Sequence, residues 1–239
     1  MSIGTRSYAR SYASGGGLPQ GIRALLIVNA AIFLIDFFSR GFLSFLAMVP
    51  SEVVRSLHVW QLATFLFLHG GLWNFLWNML ALWMFGKELE VAWGTQRFLR
   101  FYFLCGCGAG VCAVLASYVA GSPNVPIVGS SGAIYGILAA YAALWPERDV
   151  LFIFFPMKVK YFVILIAAIN FLISYNGSVG QLALLTGLLF GLLYVKSPRV
   201  RGFDPVGSID ASYRAWKLKR AKRKFQVYMR KHGSDRDVN

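Results

Sequence analysis

The chain has 239 residues, of which 57% are hydrophobic and 14% charged, with a mean hydropathy of +0.56 and a formal net charge of +14. Soluble domains run at roughly 45–50% apolar and about 25% charged residues, so a water-soluble domain is excluded and a polytopic membrane protein is expected. The positive charge sits mostly in flanks and tail, so no nucleic-acid partner is expected.

The first segment, MSIGTRSYARSYASGGGLPQ, lacks the charged-then-apolar layout of a secretory signal. It is rich in Arg and Ser, as transit peptides are, but also short and Gly-rich, and residues 1–20 read as a disordered cytoplasmic leader. Six apolar blocks follow, at 22–38, 66–86, 98–120, 131–145, 160–174 and 180–195. A span needs about 20 apolar residues. The fourth and sixth blocks fall short, so they are expected to start or end inside the protein. The architecture expected for 21–196 is one all-α domain, a six-transmembrane-helix bundle. The connection GFLSFLAMVPSEVVRSLHV, apolar but broken by Pro50 and two charges, predicts a partly in-plane helical element at the outer interface.

Lysine and arginine set the orientation. With the N-terminus inside, Arg6, Arg10, Arg23, Lys87, Arg97, Arg100, Arg148, Lys158, Lys160 and the thirteen from Lys196 onward are internal; Arg40 and Arg55 are external. Both termini then face the cytoplasm, which needs an even number of spans. A multi-pass protein of a bacterial plasma membrane is expected, with the bilayer as its surroundings. Residues 197–239 form a basic cytoplasmic tail, in which Leu218, Ala221, Phe225 and Tyr228 line the stripe of an amphipathic helix. A solvated positive flank is the competing reading.

Polar groups inside a membrane are costly and each calls for an explanation. In the second block, HGGLWNFLWNMLALWMFG, Asn74 and Asn78 are four apart and share a helix face. By themselves they read as helix-gluing amides, and His69 as an interfacial histidine. Cys105, Cys107 and Cys112 all lie in the third block. A C-x-C pair points to different sides of a helix, so they read as small packing residues; no disulfide and no metal site is expected.

The fourth block opens at VGSSGAIYG. Pro123 and Pro126 break the preceding loop, Gly129 permits an unusual backbone, and a helix is expected from near Ser131 to Trp145. Fifteen residues cover about 22 Å against a hydrocarbon core of about 30 Å. Ser131 therefore sits below the outer surface at a helix N-terminus, where free N–H groups and the positive dipole end suit an oxyanion. Gly132 and Gly136 make a smooth face, as do Gly187 and Gly191 in QLALLTGLLFGLL of the sixth block. Two such faces in contact would point Leu184, three residues before Gly187, toward Ser131. The plainer reading makes Ser130 or Ser131 a helix cap and the glycines packing residues.

Taken together these motifs resemble the rhomboid-family intramembrane serine proteases. The matching features are His69-Gly70-Gly71 with Asn78, Glu90 with Gly94, Gly129-x-Ser131-Gly132 with Gly136, and Gly187 with Gly191; the stretch VWQLATFLFLH also fits. The resemblance covers about residues 20–196. It implies Ser131 as nucleophile, an oxyanion hole from the Ser131 N–H, Asn78 and a residue of the second span, and Tyr135 packed against the base. It also implies transmembrane protein substrates and no cofactor or metal. Two positions depart from the pattern. The span-two histidine falls at Asn74, and the base histidine falls at Leu184. Asn74 still donates hydrogen bonds, and one oxyanion donor is worth about 2.7–4 kcal/mol. Leu184 cannot take a proton. Loss of the base costs on the order of 10⁶ in turnover, leaving about 10³–10⁴ over water. His58, His69 and His232 do not align with the base, and Gln181 and Thr186 are polar but not basic. The expectation is a protease scaffold impaired in catalysis. The rivals are a pseudoprotease that binds transmembrane clients and, more remotely, a channel using Asp36.

Overall fold

The computed structural model describes residues 17–39, 42–152, 155–174 and 179–196. The basic tail, most of the leader and Arg40 lie outside these residues.

Helix α1 spans Gln20–Phe38, directly after Pro19. Early N–H groups of a helix have no intrahelical acceptor. Here Gly21 and Ile22 donate to the Glu90 carboxylate at 2.8 and 2.7 Å, and the Thr95 hydroxyl donates to it at 2.6 Å. The helix dipole favours a carboxylate at that end, so Glu90, buried to 2% exposure, anchors the start of α1. A 3₁₀ turn at Phe42–Leu46 and helix α2, Pro50–Arg55, follow, with Pro50 opening α2 as its fixed φ allows. Helix α3, Gln61–Thr64, continues into a 3₁₀ turn at Phe65–Phe67. Buried Gln61 holds this connection together, accepting from Val49 N–H at 3.0 Å and donating to Glu52 at 2.7 Å. The connection is helical, as its composition suggests.

The second apolar block departs from expectation. It is not one helix over 66–86. The segments Gln61–Phe67 and Leu72–Trp93 meet at 95°. The break falls at His69-Gly70-Gly71, where Leu68 is extended and Gly71 has φ +152°, a backbone that side-chain-bearing residues rarely adopt. The straight run comprises α4, Leu72–Ala81, a π turn at Leu82–Gly86 and α5, Lys87–Trp93. It begins and ends later in the chain than hydropathy indicates.

Helix α6 spans Thr95–Val119, and α7 spans Ser131–Leu144, short as its bounding prolines require. An antiparallel hairpin that hydropathy did not reveal links α7 to α8: β1, Asp149–Phe152, pairs with β2, Phe155–Lys158, with Asp149 opposite Lys158. Helices α8, Val159–Ser174, and α9, Val179–Lys196, complete the described chain.

Among the described residues, α1 and α6 are each long and apolar enough to cross a bilayer, and the bent pair supplies a third such unit. Six crossings require the shorter apolar helices α7, α8 and α9 to span as well. Phe38, Trp73, Trp77, Leu115 and Val119 are exposed. A water-soluble monomer keeps exposed apolar surface limited, and lipid is the solvent that accepts such side chains.

Helix α9 packs chiefly on α7 and α6. A Cβ at Gly187 would fall on the Gly132 carbonyl, and one at Gly191 would fall on that of Gly136. The expected glycine-to-glycine crossing of the fourth and sixth blocks is therefore present, backbone against backbone. Cys105 fills the other side of the crossing, so close that a Cβ at Gly136 would lie 2.6 Å from its Cβ and Sγ. Its expected packing role is met.

Candidate active site

The backbone before α7 is pinned from two sides. Met48 and Ile127 exchange N–H···O bonds at 3.0 and 2.8 Å, and Gly129 N–H donates to the Phe65 carbonyl at 3.0 Å. Gly129 has φ +123°, and a Cβ there would lie 3.6 Å from both the Asn74 Oδ1 and the Ser131 Oγ. Only glycine suits this conformation without strain. The turn it makes delivers Ser131 as the first residue of α7, beside α4.

Three expected site residues come together there. The Ser131 hydroxyl donates to Asn78 Oδ1 at 3.3 Å, and Asn78 Nδ2 donates to Asn74 Oδ1 at 3.3 Å. Asn78 is buried, Ser131 half-buried and Asn74 exposed. The row therefore opens from the protein interior toward its surface. The amides do pair with each other, as helix-gluing residues would, but they also reach the serine. Tyr135 stands one turn further along α7, half-buried. Gly132 and Gly136 meet Gly187 and Gly191 as described above. Leu184 belongs to α9 by its backbone, three residues before Gly187; its side chain, like that of Gln181, lies outside the described set.

Ser130 does not act as the side-chain cap that its position suggests. It occupies the N-cap of α7, yet its side chain makes no capping bond. Its hydroxyl instead meets His69 Nε2 at 3.3 Å, and both residues are buried. His69 packs edge-on against Phe75, centroids 5.3 Å apart, and Phe75 stacks on Phe33 of α1 at 4.4 Å. The histidine is thus a buried group. The separation of 61 positions from His69 to Ser130 left no spacing signal by which the pair could be read from the sequence.

The imidazole is therefore held by the serine next to Ser131. The acceptor of the Ser131 proton is a carboxamide oxygen, which forms a hydrogen bond but does not become protonated near neutral pH. Around it lie first-turn N–H groups of α7 and two amide side chains, a set able to hold a developing oxyanion. Among the described residues no group of three or more His, Cys, Asp or Glu is arranged to hold a metal ion.

The family model of the rhomboid domain matches residues 56–197, more than half of the chain. The chain is similar to Rhomboid protein 1, mitochondrial, of Saccharomyces cerevisiae, with 29% identity over 137 residues, 54% of this chain and 38% of that protein. It is also similar to Rhomboid protease GluP of Bacillus subtilis, with 32% identity over 146 residues, 60% of this chain and 27% of that protein. The chain thus spans well under half the length of either relative. The helical bundle, the apolar surface and the glycine crossing agree with the match over 56–197: this chain is an integral membrane protein and belongs to the rhomboid family.

Proposed function

We propose that the chain is a rhomboid-type intramembrane serine protease scaffold in which Ser131 holds the place of the nucleophile and peptide-bond hydrolysis is severely impaired. The observation that carries this reading is the hydrogen bond from Ser131 to the amide oxygen of Asn78, in a chain whose residue at the base position is Leu184. A serine hydroxyl without a base is a poor nucleophile. In an active site the Ser131 oxygen would attack the scissile carbonyl of an unwound transmembrane segment while its proton passed to a base. The oxyanion would then rest on the Ser131 N–H, Asn78 and Asn74. The support for this is the row of Ser131, Asn78 and Asn74, in which neither the amide of Asn78 nor a leucine at position 184 is a base.

The proposed partners are transmembrane proteins, and both termini are proposed to lie on the cytoplasmic side. The support for that orientation is the charge distribution, with 22 of the 24 lysines and arginines on one side. The proposed division is a leader at 1–20, the membrane domain at 21–196 and a tail at 197–239.

The test is cleavage of a model transmembrane substrate in proteoliposomes. The parent protein and Ser131→Ala are expected to be indistinguishable. Leu184→His combined with Asn74→His is expected to produce cleavage that Ser131→Ala abolishes. Ser131-dependent cleavage by the parent would refute the impairment, and no gain in the double variant would refute the assignment of position 184.

A second reading, a pseudoprotease that retains membrane clients, is favoured by the open geometry of the site, with Asn74 exposed beside a half-buried Ser131. Crosslinking of clients without products, together with failure of a fluorophosphonate to label Ser131, distinguishes it from a slow protease.

A further inference from the structure

A cavity of about 860 Å³ adjoins the site, and the residues that line it include Asp36, Glu52, His58, Trp60, His69 and Val128. Its volume falls in the range of ligand pockets, about 300–1,000 Å³. The lining is acidic and neutral; among the described residues no lysine or arginine belongs to it. The chain as a whole carries 24 basic residues against 10 acidic ones, so the cavity runs against the charge of the rest of the molecule and suits a cationic group.

Glu52, from α2, is held in place there. Gln61, 1% exposed, donates to Glu52 Oε2 at 2.7 Å and is itself fixed by the Val49 N–H at 3.0 Å. His58 Nδ1 meets the same carboxylate oxygen at 3.3 Å, and the His58 ring stacks on Trp60 with centroids 4.4 Å apart. The hydrogen bonds from Gln61 and then His58 hold the Glu52 carboxyl below its ordinary 4.5, so it is charged near neutral pH. The Glu52 side chain is 45% exposed and Trp60 is 49% exposed, which leaves both open to a ligand. A fixed carboxylate with an indole one ring away matches a guanidinium, which forks onto carboxylate oxygens and stacks on aromatic faces.

The cavity shares its wall with the turn that carries the candidate nucleophile. His69 lines it and meets Ser130 Oγ at 3.3 Å. Val128 lines it too, three positions before Ser131, a reach of at most about 11 Å. An extended polypeptide covers that distance in about three residues. We infer that the cavity receives a basic side chain, arginine by preference, from the polypeptide flanking a transmembrane partner engaged at Ser131, with Glu52 and Trp60 as the residues that recognise it. The inference rests on the reading of Ser131 as the place where such a partner is held, and it adds a selection among partners by charge a few residues away.

The test reads binding, so it does not depend on whether any variant cleaves. The full chain in uncharged detergent micelles is titrated with fluorescently labelled transmembrane peptides that carry one arginine or one glutamine at each flanking position in turn, and the anisotropy gives the dissociation constants. The best-placed arginine is expected to tighten binding about fivefold over glutamine, the effect of a partly exposed ion pair. Glu52→Gln is expected to remove that preference, and Trp60→Ala to reduce it about twofold to fivefold. Glu147→Gln, a carboxylate outside the cavity lining, is expected to leave it unchanged. Equal binding of the arginine and glutamine peptides at every position overturns the inference alone, and so does a preference that survives in both Glu52→Gln and Trp60→Ala. Failure of every peptide to bind overturns it together with the reading of Ser131 as a partner site. No gain of cleavage in the Leu184→His, Asn74→His variant strikes only the assignment of position 184.

Discussion

Gly187 of α9 lies against the Gly132 carbonyl of α7 so closely that no Cβ fits between them. One turn further on, Gly191 stands in the same relation to Gly136. The site depends on this crossing, because it sets the distance between the helix that starts at Ser131 and the helix that carries position 184.

Replacing Gly187 by alanine is therefore expected to be costly. The obstacle is backbone, which cannot rotate aside as a side chain does, and overpacking of this kind costs about 1–3 kcal/mol. Gly70→Ala is the control, since a Cβ there would meet only Val128 at 3.7 Å, an ordinary contact. Thermal unfolding in detergent micelles is expected to show a clear drop for Gly187→Ala and little change for Gly70→Ala. Equal midpoints for the two variants would mean that the helices are not in backbone contact.

The adjacent serines are expected to answer differently to alanine. Ser130 is fully buried and shares a hydrogen bond with buried His69. Its loss takes away the partner of the buried imidazole Nε2, a penalty of about 1–3 kcal/mol. Ser131 is half-buried and its partner Asn78 keeps Asn74, so Ser131→Ala is expected to change stability by less than about 0.5 kcal/mol. Midpoints of the two variants, measured side by side, check the ordering. A more destabilised Ser131→Ala would reverse the assignment of the two hydroxyls.

A pH effect is expected at the hairpin end. Hydrogen bonds from Lys158 and then Lys160 lower the Glu147 carboxyl from the ordinary 4.5 to about 2. A carboxyl depressed by folding contributes its stability fully above the unfolded value and loses it as pH falls toward the folded one. The contribution of Glu147 is therefore expected to fade between about pH 4.5 and about pH 2. All three side chains are at least one-third exposed, and exposed pairs are screened by salt. The midpoint difference between the parent and Glu147→Gln is expected to be small near neutrality, to vanish on acidification through that window and to shrink in high salt. A difference that grew as pH fell would contradict the ion pairs.

Much of this protein was legible without coordinates, for reasons of short range. Helix limits followed hydropathy where punctuation agreed with it: Pro19 before α1 and the prolines on either side of α7 act on their own neighbourhoods. The four-residue spacing of Gly132 with Gly136 and of Gly187 with Gly191 marked faces fit for close approach. Asn74 and Asn78 showed a common face in the same way. The bend before α4 escaped because hydropathy sums over a window, and two glycines among leucines and phenylalanines leave that sum high while freeing the backbone to turn by 95°. The hairpin at 149–158 escaped because its paired strands are four residues each, too short for a period to register.

What the linear order determined by itself is composition and local geometry: a chain too apolar for water, helices of given length, smooth glycine faces, and a serine at a helix start with leucine where a base is expected. Partnership was decided only in three dimensions. Which of two neighbouring serines meets an imidazole depends on where α7 begins its turn. A rotation of one residue, about 100° around a helix, sends Ser130 inward to His69 and Ser131 toward Asn78. Glu90 likewise finds the start of α1 only because α5 ends beside it, 68 residues away along the chain. Such contacts are set by how whole helices pack, and no spacing along the chain encodes them.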